Sequence, residues 1–420
     1  HPVKATGKDY LQLAQRGGGP MRVSFVPKPN PLNEAFLDAM DGLQFRRCAD
    51  FNVAEPEGAG YRQATIDRGR RVSTASAYLR PALRRPNLTA RRGARVHRIL
   101  LENGRATGVE YQRDGAVERI FARREIVLCA GAYQSAHLLM LSGIGDAAAL
   151  RAAGVAPRHD LPGVGRALQD HLAAAVIMDA PTAPSYGISL RALPRDAWSV
   201  LQYLFGRRGQ IGSNLFETTA YIRSRPGLDR PDMQIVFQPA RRNRNRFPLP
   251  LGHGYSISVV DLYPESRGTV SLAGPDPLAA PLIDPRLGSA QADVDTLVRG
   301  LRIARQALAA PAFARYRAHE RAPGESVRDD RALDAYVRAT AATVHHPAGT
   351  CAMGSGPQAV VDAELRVHGL TGLRVADASI FPRLIGGNTN AGTVMVGEKA
   401  ADMILGRPAP APIEVDRNAR

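Results

Sequence analysis

A strand–turn–helix unit in the first half of the chain constrains its fold more than any other feature. The apolar run at residues 125–129 ends at Ala130-Gly131-Ala132, and a helical pattern continues through residues 135–141. A short apolar run of this kind is typical of a strand buried on both faces of a parallel sheet. Strand, small-residue turn and helix in that order make half of a doubly wound α/β unit. The end of the chain repeats this style, with a strand at 373–376, a Gly/Asn-rich loop and a helix from about Thr393.

The remaining sequence divides into a loop-rich start and a mixed central region. The first 85 residues contain Gly and Pro clusters and one short helical stretch at 33–40. Residues 96–101 and 106–112 predict the two strands of a hairpin. Alternating segments at 233–238 and 255–262 predict an antiparallel sheet, and amphipathic stretches at 293–309 and 330–341 predict helices. The fold class is therefore α/β (α+β overall): a doubly wound part, and a second region with an antiparallel sheet and flanking helices.

Length and charge exclude several classes of protein. A chain of 420 residues suffices for two or three domains with a sizeable core. Its net charge is +16, but the arginines are scattered and lack interleaved aromatic residues, so we expect no nucleic-acid partner. No apolar run approaches the roughly 20 residues of a membrane span. Peripheral contact with a membrane through basic patches stays open.

Cysteine usage indicates a reducing compartment. The three cysteines, Cys48, Cys129 and Cys351, lie far apart and form no CxxC pair. Neither a disulfide framework nor a zinc site is supported by that spacing, and we expect no metal. We therefore expect a cytoplasmic protein.

Two adjacent histidines, His345 and His346, lie on a loop bounded by Pro347 and Gly349. As metal ligands they would be unusual, because consecutive side chains point apart and no carboxylate stands at helical spacing. As plain loop residues they would form hydrogen bonds. As a general base, one imidazole would accept a proton near neutral pH. The sequence of this segment alone leaves these three readings open.

Two further loops are rich in small residues. The loop at 386–393 feeds a helix, and its free backbone N–H groups suit an anion or an electron-rich ring edge. The loop at 129–136 follows the buried strand and permits a nucleotide to approach closely. The alternative in each case is structural: ordinary turns with a helix cap, or tight packing of a helix on a sheet.

Taken together and in this order, these loops resemble the glucose–methanol–choline (GMC) family of flavin oxidoreductases. The resemblance runs from about residue 2 to residue 406 and is closest to the choline-dehydrogenase-like alcohol dehydrogenase branch. Supporting segments lie at residues 69–75, 85–89, 161–171, 361–370 and 373–382.

The resemblance implies FAD as cofactor and assigns roles to individual residues. The histidine before Pro-x-Gly-Thr is the family's active-site base, here His346, and its partner in the final loop falls on Asn390. The base takes the hydroxyl proton of an alcohol while hydride moves to the flavin. The resemblance also implies the cofactor contacts: the adenine end near Val96, the ribityl–pyrophosphate region near Asp377 and Ala378, and the flavin ring near Thr389, Asn390 and Ala391.

The domain division implied by the resemblance is discontinuous. Residues 1–85 and 176–345 form the substrate-binding region, residues 86–175 and 346–408 belong to the FAD-binding domain, and 409–420 form a tail. Family members open with a GxGxxG turn that this sequence lacks, and Ala136 stands where they usually have proline. By analogy about 130 residues would precede His1, so we expect the chain alone to bind FAD weakly or not at all. The alternative is a truncated, cofactor-free and inactive fragment.

The expected substrate is a small primary alcohol, either choline or an aliphatic or aromatic alcohol. For choline, Glu217 is the candidate to face the quaternary ammonium, against the alternative of an exposed structural carboxylate. We expect a quinone or another electron acceptor, a homodimer, and peripheral contact with the inner membrane.

Overall fold

The computed structural model describes residues 19–26, 28–53, 55–207, 209–241, 252–316 and 319–408. Its α-helices are, in chain order, α1 (Leu32–Gly42), α2 (Arg80–Ala82), α3 (Gly131–Leu141), α4 (Ala147–Ala152), α5 (Leu193–Gly206), α6 (Gln291–Ala309), α7 (Asp330–Thr340) and α8 (Thr389–Ile404). A π-helical turn at Ala75–Leu79 precedes α2, and short 3₁₀ turns occur at Gln210–Gly212, Pro311–Phe313 and Ala378–Ile380.

The strands of these residues are mostly short. They are β1 (Gly58–Tyr61), β2 (Ile66–Asp67), β3 (Arg70–Arg71), β4 (Arg95–Glu102), β5 (Arg105–Arg113), β6 (Ala116–Phe121), β7 (Ile126–Leu128), β8 (Ile144–Gly145), β9 (His159–Asp160), β10 (Leu172–Asp179), β11 (Thr218–Ile222), β12 (Met233–Gln238), β13 (Gly254–Asp261), β14 (Thr269–Ser271), β15 (Leu282–Asp284), β16 (His319–Ala322), β17 (Ala342–Thr343) and β18 (Leu373–Val375).

The largest sheet is antiparallel and has the order β1-β11-β12-β13-β10-β16, with β17 paired to β10. Alternate residues of β13, such as Ile257 and Val259, are fully buried and face α6. Helix α6 packs against the sheet so closely that a Cβ on Gly300 would lie 2.1 Å from Val259 Cγ1. The predicted antiparallel sheet and both of its flanking helices are confirmed.

A second hydrophobic cluster surrounds the α/β part of the chain. Strand β7 pairs in parallel with β18, and helix α3 follows β7 directly. The three-stranded sheet β4-β5-β6 packs against α3 through β4. The strand–turn–helix unit and the hairpin are thus confirmed, together with the fold class. The division at residues 85, 175 and 345 stays a prediction.

Two details of the expected elements are wrong. Helix α8 begins at Thr389 rather than near Thr393, because Asn388 already serves as its N-cap residue. Strand β7 is not buried on both faces, since Ile126 and Val127 are half-buried and Leu128 alone is buried. Its only strand partner among the described residues is β18.

The close contact at Gly300 generates a stability prediction. Replacing Gly300 with alanine should lower the free energy of unfolding by roughly 1–3 kcal/mol, because the added methyl overpacks the interface between α6 and the sheet. The matched control is Gly42→Ala at the end of α1, where a Cβ meets no atom within 4 Å. That control should be neutral or gain up to about 1 kcal/mol, since alanine favours helix. Urea unfolding of both variants checks this, and equal effects would contradict it.

Candidate active site

The loop that carries His346 is anchored by backbone pairing to the segment before β10. Strand β17 pairs with β10, with Leu172 opposite Thr343, and the Val344 N–H donates to the His171 carbonyl at 3.2 Å. Farther along, Gln169 and Ala348 exchange two backbone hydrogen bonds of 2.9 Å. The two segments therefore run side by side, and this brings His346 next to His171.

The adjacent histidines diverge because the backbone turns at the first of them. His345 has φ +65°, in the left-handed region, and its side chain is exposed, whereas His346 is half-buried. Asp170 holds this turn, since it accepts the His346 N–H at 2.9 Å and the hydroxyl of Thr343. Gly349, with φ +89°, completes the loop where a Cβ would lie 2.6 Å from the Ala167 carbonyl oxygen.

Four side chains form a hydrogen-bond chain that runs through His346. Arg62 Nη2 donates to Asn388 Oδ1 at 3.0 Å, and Asn388 Nδ2 lies 3.1 Å from His346 Nε2. His346 Nδ1 lies 2.9 Å from His171 Nδ1, with the two rings nearly perpendicular. Beyond them, His171 Nε2 lies 3.2 Å from the Leu262 carbonyl and 3.1 Å from the Ile385 carbonyl.

The two ends of this chain fix the direction of every hydrogen bond within it. Carbonyls only accept, so His171 carries its proton on Nε2, and its neutral Nδ1 accepts from His346 Nδ1–H. At the other end a guanidinium only donates, so Asn388 turns its oxygen to Arg62 and its N–H groups to His346. The consequence is a lone pair on His346 Nε2, held toward Asn388.

Burial and charge both favour the neutral form of these imidazoles. Burial lowers the pKa of His346 to about 4, with further contributions from the charges of Arg62 and His345. Burial also lowers the pKa of His171 to about 4, and the neighbouring His346 adds to the effect. Protonation of His171 would set two N–H donors against each other. Burial raises the pKa of Asp170.

The side chain that contacts His346 is Asn388, two residues before the expected Asn390. Asparagine at an N-cap usually bonds the first turn of its own helix, but Asn388 makes no such bond because Arg62 and His346 occupy its amide. The first-turn N–H groups of α8 are left without a side-chain cap. Asn390 and Ala391 line a cavity at this turn, whereas Thr389 is buried. A catalytic role for Asn390 stays a prediction.

The other predicted cofactor residues lie elsewhere in the α/β part. Asp377 follows β18 and joins it to the start of α3, since its carboxylate accepts from Gly131 N at 2.9 Å and Ser135 Oγ at 2.5 Å. Ala378 begins the 3₁₀ turn that follows. Val96 lies on β4 and lines neither of the cavities described below.

Two cavities meet at Arg62, Asn214 and Asn388. One has a volume of about 690 Å³ and is bordered by the loops at 49–52, 61–65, 71–74 and 386–391. The other has a volume of about 550 Å³ and contains His346 in its wall. Besides Arg241 and His345, its lining combines apolar side chains with amides and hydroxyls: Leu215, Phe216, Val236, Ala240, Val260, Val344, Gln234, Gln238, Ser258 and Thr343.

Glu217 lines neither cavity and is not an exposed carboxylate either. It is 1% exposed and accepts hydrogen bonds from Asn30 N at 2.8 Å, Tyr186 Oη at 2.9 Å and Ser213 Oγ at 2.5 Å. The substrate-facing role and the exposed position expected for Glu217 are therefore wrong, whereas the structural role of the alternative agrees with these buried contacts. Among the described residues, no group of three or more His, Cys, Asp or Glu side chains is placed to hold a metal ion.

Sequence reasoning missed three members of the hydrogen-bonded chain: Arg62, His171 and Asn388. A signal existed for His171, which ends the family-like segment at 161–171 and follows a buried aspartate. Asn388 lies in the Gly/Asn-rich loop, but choosing between two asparagines two residues apart requires the start of α8. For Arg62 we find no local signal, since its partner is 326 residues away.

Comparison with known proteins places the chain among described enzymes. Two family models, both described as GMC oxidoreductase, match residues 3–173 and 264–397. An oxygen-dependent choline dehydrogenase from Sinorhizobium medicae is 43% identical over 394 residues, covering 93% of this chain and 71% of that protein. An alcohol dehydrogenase [acceptor] from Pseudomonas putida is 38% identical over 389 residues, covering 92% and 70%.

A solved structure supports the same placement. Formate oxidase from Aspergillus oryzae RIB40, determined to follow the effect of a mutation on FAD modification, superimposes with a TM-score of 0.85. It is 25% identical and covers 93% of this chain and 73% of that one.

The neutral histidine pair generates a prediction about acid stability. The unfolded chain binds protons on both imidazoles below about pH 6.5, but the folded chain does so only near pH 4. The contribution to stability is complete above pH 6.5 and is lost as the pH falls toward 4, by roughly 2–3 kcal/mol for each imidazole. In His171→Gln that loss should shrink by about half. Unfolding free energies in urea across this range test it, and an unchanged pH slope in the variant would contradict it.

Proposed function

Because the chain belongs to the GMC oxidoreductase family, we propose that it oxidises a primary alcohol to the aldehyde with His346 as the base. It is an oxidoreductase that acts on CH–OH donors, and its cofactor is FAD. The observation that carries the proposal is the lone pair of His346 Nε2, held by a directed hydrogen-bond chain in the wall of the smaller cavity.

The larger cavity fits the flavin ring. Its wall includes Asn390 and Ala391, in a helical turn whose N–H groups have no side-chain cap, and such groups suit an electron-rich ring edge. Gly131, with φ +86°, has open space where a Cβ would lie, and it begins α3 after the buried end of β7. His97 Nε2, next to Val96, is buried without a partner among the described residues. Asn390 and Ala391 would hold the flavin ring, Gly131 would lie at the pyrophosphate side of the cofactor, and His97 at its adenine side.

FAD, when bound, supplies the hydride acceptor. His346 supplies the complementary proton acceptor: the hydroxyl of an alcohol that enters from the smaller cavity replaces Asn388 Nδ2 as the donor to Nε2, and Nε2 takes its proton. His171 Nδ1 continues to accept from His346 Nδ1–H during this transfer and so orients the new imidazolium. Asn388 lies beside the same nitrogen and is placed to hydrogen-bond the substrate oxygen. Holding these groups in position contributes to the rate through orientation.

The lining of the smaller cavity favours an uncharged alcohol over choline. No carboxylate lines this cavity in the described part of the chain. Two arginines border it: Arg241 pairs with Asp179 at 2.8 Å, whereas Arg62 forms no ion pair with any carboxylate that the structure describes. A quaternary ammonium would therefore meet a positive charge without a counter-ion. We propose an aliphatic or aromatic primary alcohol as substrate and a quinone or another molecule as electron acceptor.

The role of His346 is tested by its replacement. His346→Asn should lower alcohol-dependent flavin reduction by about 10²–10⁴-fold, the usual contribution of a general base. The matched control is His319→Asn on the edge strand β16, where the side chain is exposed. Anaerobic bleaching of the FAD-loaded protein is the measurement. An equal rate in His346→Asn would remove the base assignment, and no reduction of the wild-type protein by any alcohol would favour an inactive fragment.

The substrate preference is tested with a pair of alcohols of the same shape. 3,3-Dimethylbutan-1-ol replaces the quaternary nitrogen of choline with carbon and so removes only its charge. We expect its kcat/KM to exceed that of choline by at least about tenfold, because one unpaired like-charge contact is worth a kcal/mol or more at low effective dielectric. In Arg62→Gln this ratio should fall toward unity. A preference for choline in the wild-type protein would contradict the proposed substrate class.

A further inference from the structure

Helix α5 is amphipathic, but its apolar face points away from the protein. Its inward side is polar: Asp196 Oδ1 accepts from Gln210 Nε2 at 2.7 Å, and Ser199, the one buried residue of the helix, accepts from Gln210 N at 3.0 Å. The outward side, with the residue that precedes the helix by three, is large and apolar: Leu190, Leu193, Trp198, Leu201, Leu204 and Phe205. Phe205 is 88% exposed and Leu190 87% exposed.

The helix has distinct polar and apolar sides, so it could have packed in the usual way, with the apolar side buried against the core. Five large apolar side chains exposed on one side of a helix, with Leu190 just before it, therefore indicate a binding face.

Arginines surround the apolar face at both ends of the helix. Arg191 and Arg195 are exposed at its start, and Arg195 is paired with Asp196 at 3.1 Å. At its end, the tip of the β2–β3 hairpin packs on Arg207, where a Cβ on Gly69 would lie 2.2 Å from the Arg207 carbonyl oxygen. That hairpin brings three more exposed arginines: Arg68, Arg70 and Arg71.

The apolar face and its arginine rim are complementary to the surface of an anionic lipid bilayer. Helices that lie in the membrane interface combine Trp, Phe and Leu on one side with arginine at the border. Fourteen residues make a helix of about 21 Å, too short to cross a hydrocarbon core of roughly 30 Å. Among the described residues no helix is long and apolar enough to cross a membrane. The face would lie in the plane of the bilayer instead.

A second copy of the chain is the less suitable occupant. In a two-fold interface the same surface meets itself, so arginines at the rim would face arginines of the partner. Like charges across an interface oppose association. Anionic head groups would neutralise the same rim.

We propose that α5 and the β2–β3 hairpin form a docking face for the surface of an anionic bilayer. The apolar side chains enter the acyl boundary, and the arginines contact the phosphate layer. Docking of this kind would bring the enzyme to a lipid-soluble electron acceptor such as a quinone. The proposal does not depend on the alcohol or on the catalytic role of His346.

The chain contains its own reporter for this face, because Trp198 is its single tryptophan. Adding vesicles of equal parts phosphatidylglycerol and phosphatidylcholine should shift Trp198 emission to the blue. Lipids brominated in the acyl chain should quench it. Vesicles of phosphatidylcholine alone should bind at least about tenfold more weakly, because they lack the negative surface charge that attracts the arginines.

Two double variants that each introduce two glutamates test whether vesicle binding depends on this face or on exposed apolar side chains in general. The double variant Leu204→Glu with Phe205→Glu should lose at least about tenfold in vesicle affinity, since both side chains leave the acyl boundary. The control is Val117→Glu with Phe121→Glu on β6, where the side chains are also exposed, and its affinity should equal that of the wild type. Circular dichroism checks that both variants fold, as expected for surface positions.

Three outcomes would overturn the proposal. One is unchanged Trp198 emission with anionic vesicles, and another is equal loss of affinity in both double variants. The third is a wild-type dimer that becomes monomeric in Leu204→Glu with Phe205→Glu while vesicles bind neither protein, which would assign the face to a second copy. Flavin reduction by a soluble alcohol in the same preparations reports separately on the proposed function.

Discussion

The arrangement of the candidate active site depends on one directed hydrogen-bond chain. Its two ends are chemically one-sided, because the guanidinium of Arg62 only donates and the carbonyls of Leu262 and Ile385 only accept. Every proton between them is thereby assigned, and both imidazoles must be neutral. Burial lowers the pKa of His171 and of His346, and so favours the same neutral forms that the hydrogen-bond chain requires. A proton added to His171 would break the chain. His346 is therefore neutral at neutral pH, with an unprotonated Nε2 next to Asn388.

This hydrogen-bond chain can form only because the antiparallel-sheet part and the α/β part of the fold meet along it. Arg62 follows β1 of the large antiparallel sheet, and His171 precedes β10 of the same sheet. Asn388, by contrast, is the N-cap residue of α8, which packs with the α/β part. Pairing of β17 with β10 carries the His346 loop across the boundary. The cavities that meet at Arg62 and Asn388 therefore each take walls from both parts, as a site that joins a cofactor to a substrate requires.

The sequence predicted the main elements and singled out His346, but it could not predict contacts that depend on long-range pairing. Apolar runs and alternation located β7, β18, β12, β13 and the helices α6 and α7, because local periodicity reports which face is buried. The family resemblance located His346. Local pattern could not show that Asn388 rather than Asn390 turns toward it, because that depends on where α8 begins. Nor could it show that Glu217 is buried among Asn30, Tyr186 and Ser213, whose positions in the sequence are far from one another.

Helix α5 also shows what a local sequence pattern cannot predict, namely which way the apolar side of a helix faces. Its pattern of apolar residues is that of an ordinary core-facing helix, and a sequence alone assigns the apolar stripe to the interior. The inversion is set by the turn at 209–212, which offers the polar groups of Gln210 to Asp196 and Ser199. Once these polar groups pair inward, rotation of the helix would leave them buried without partners, at a cost of about 1–3 kcal/mol each. The apolar face therefore stays outward, where only a second surface can cover it.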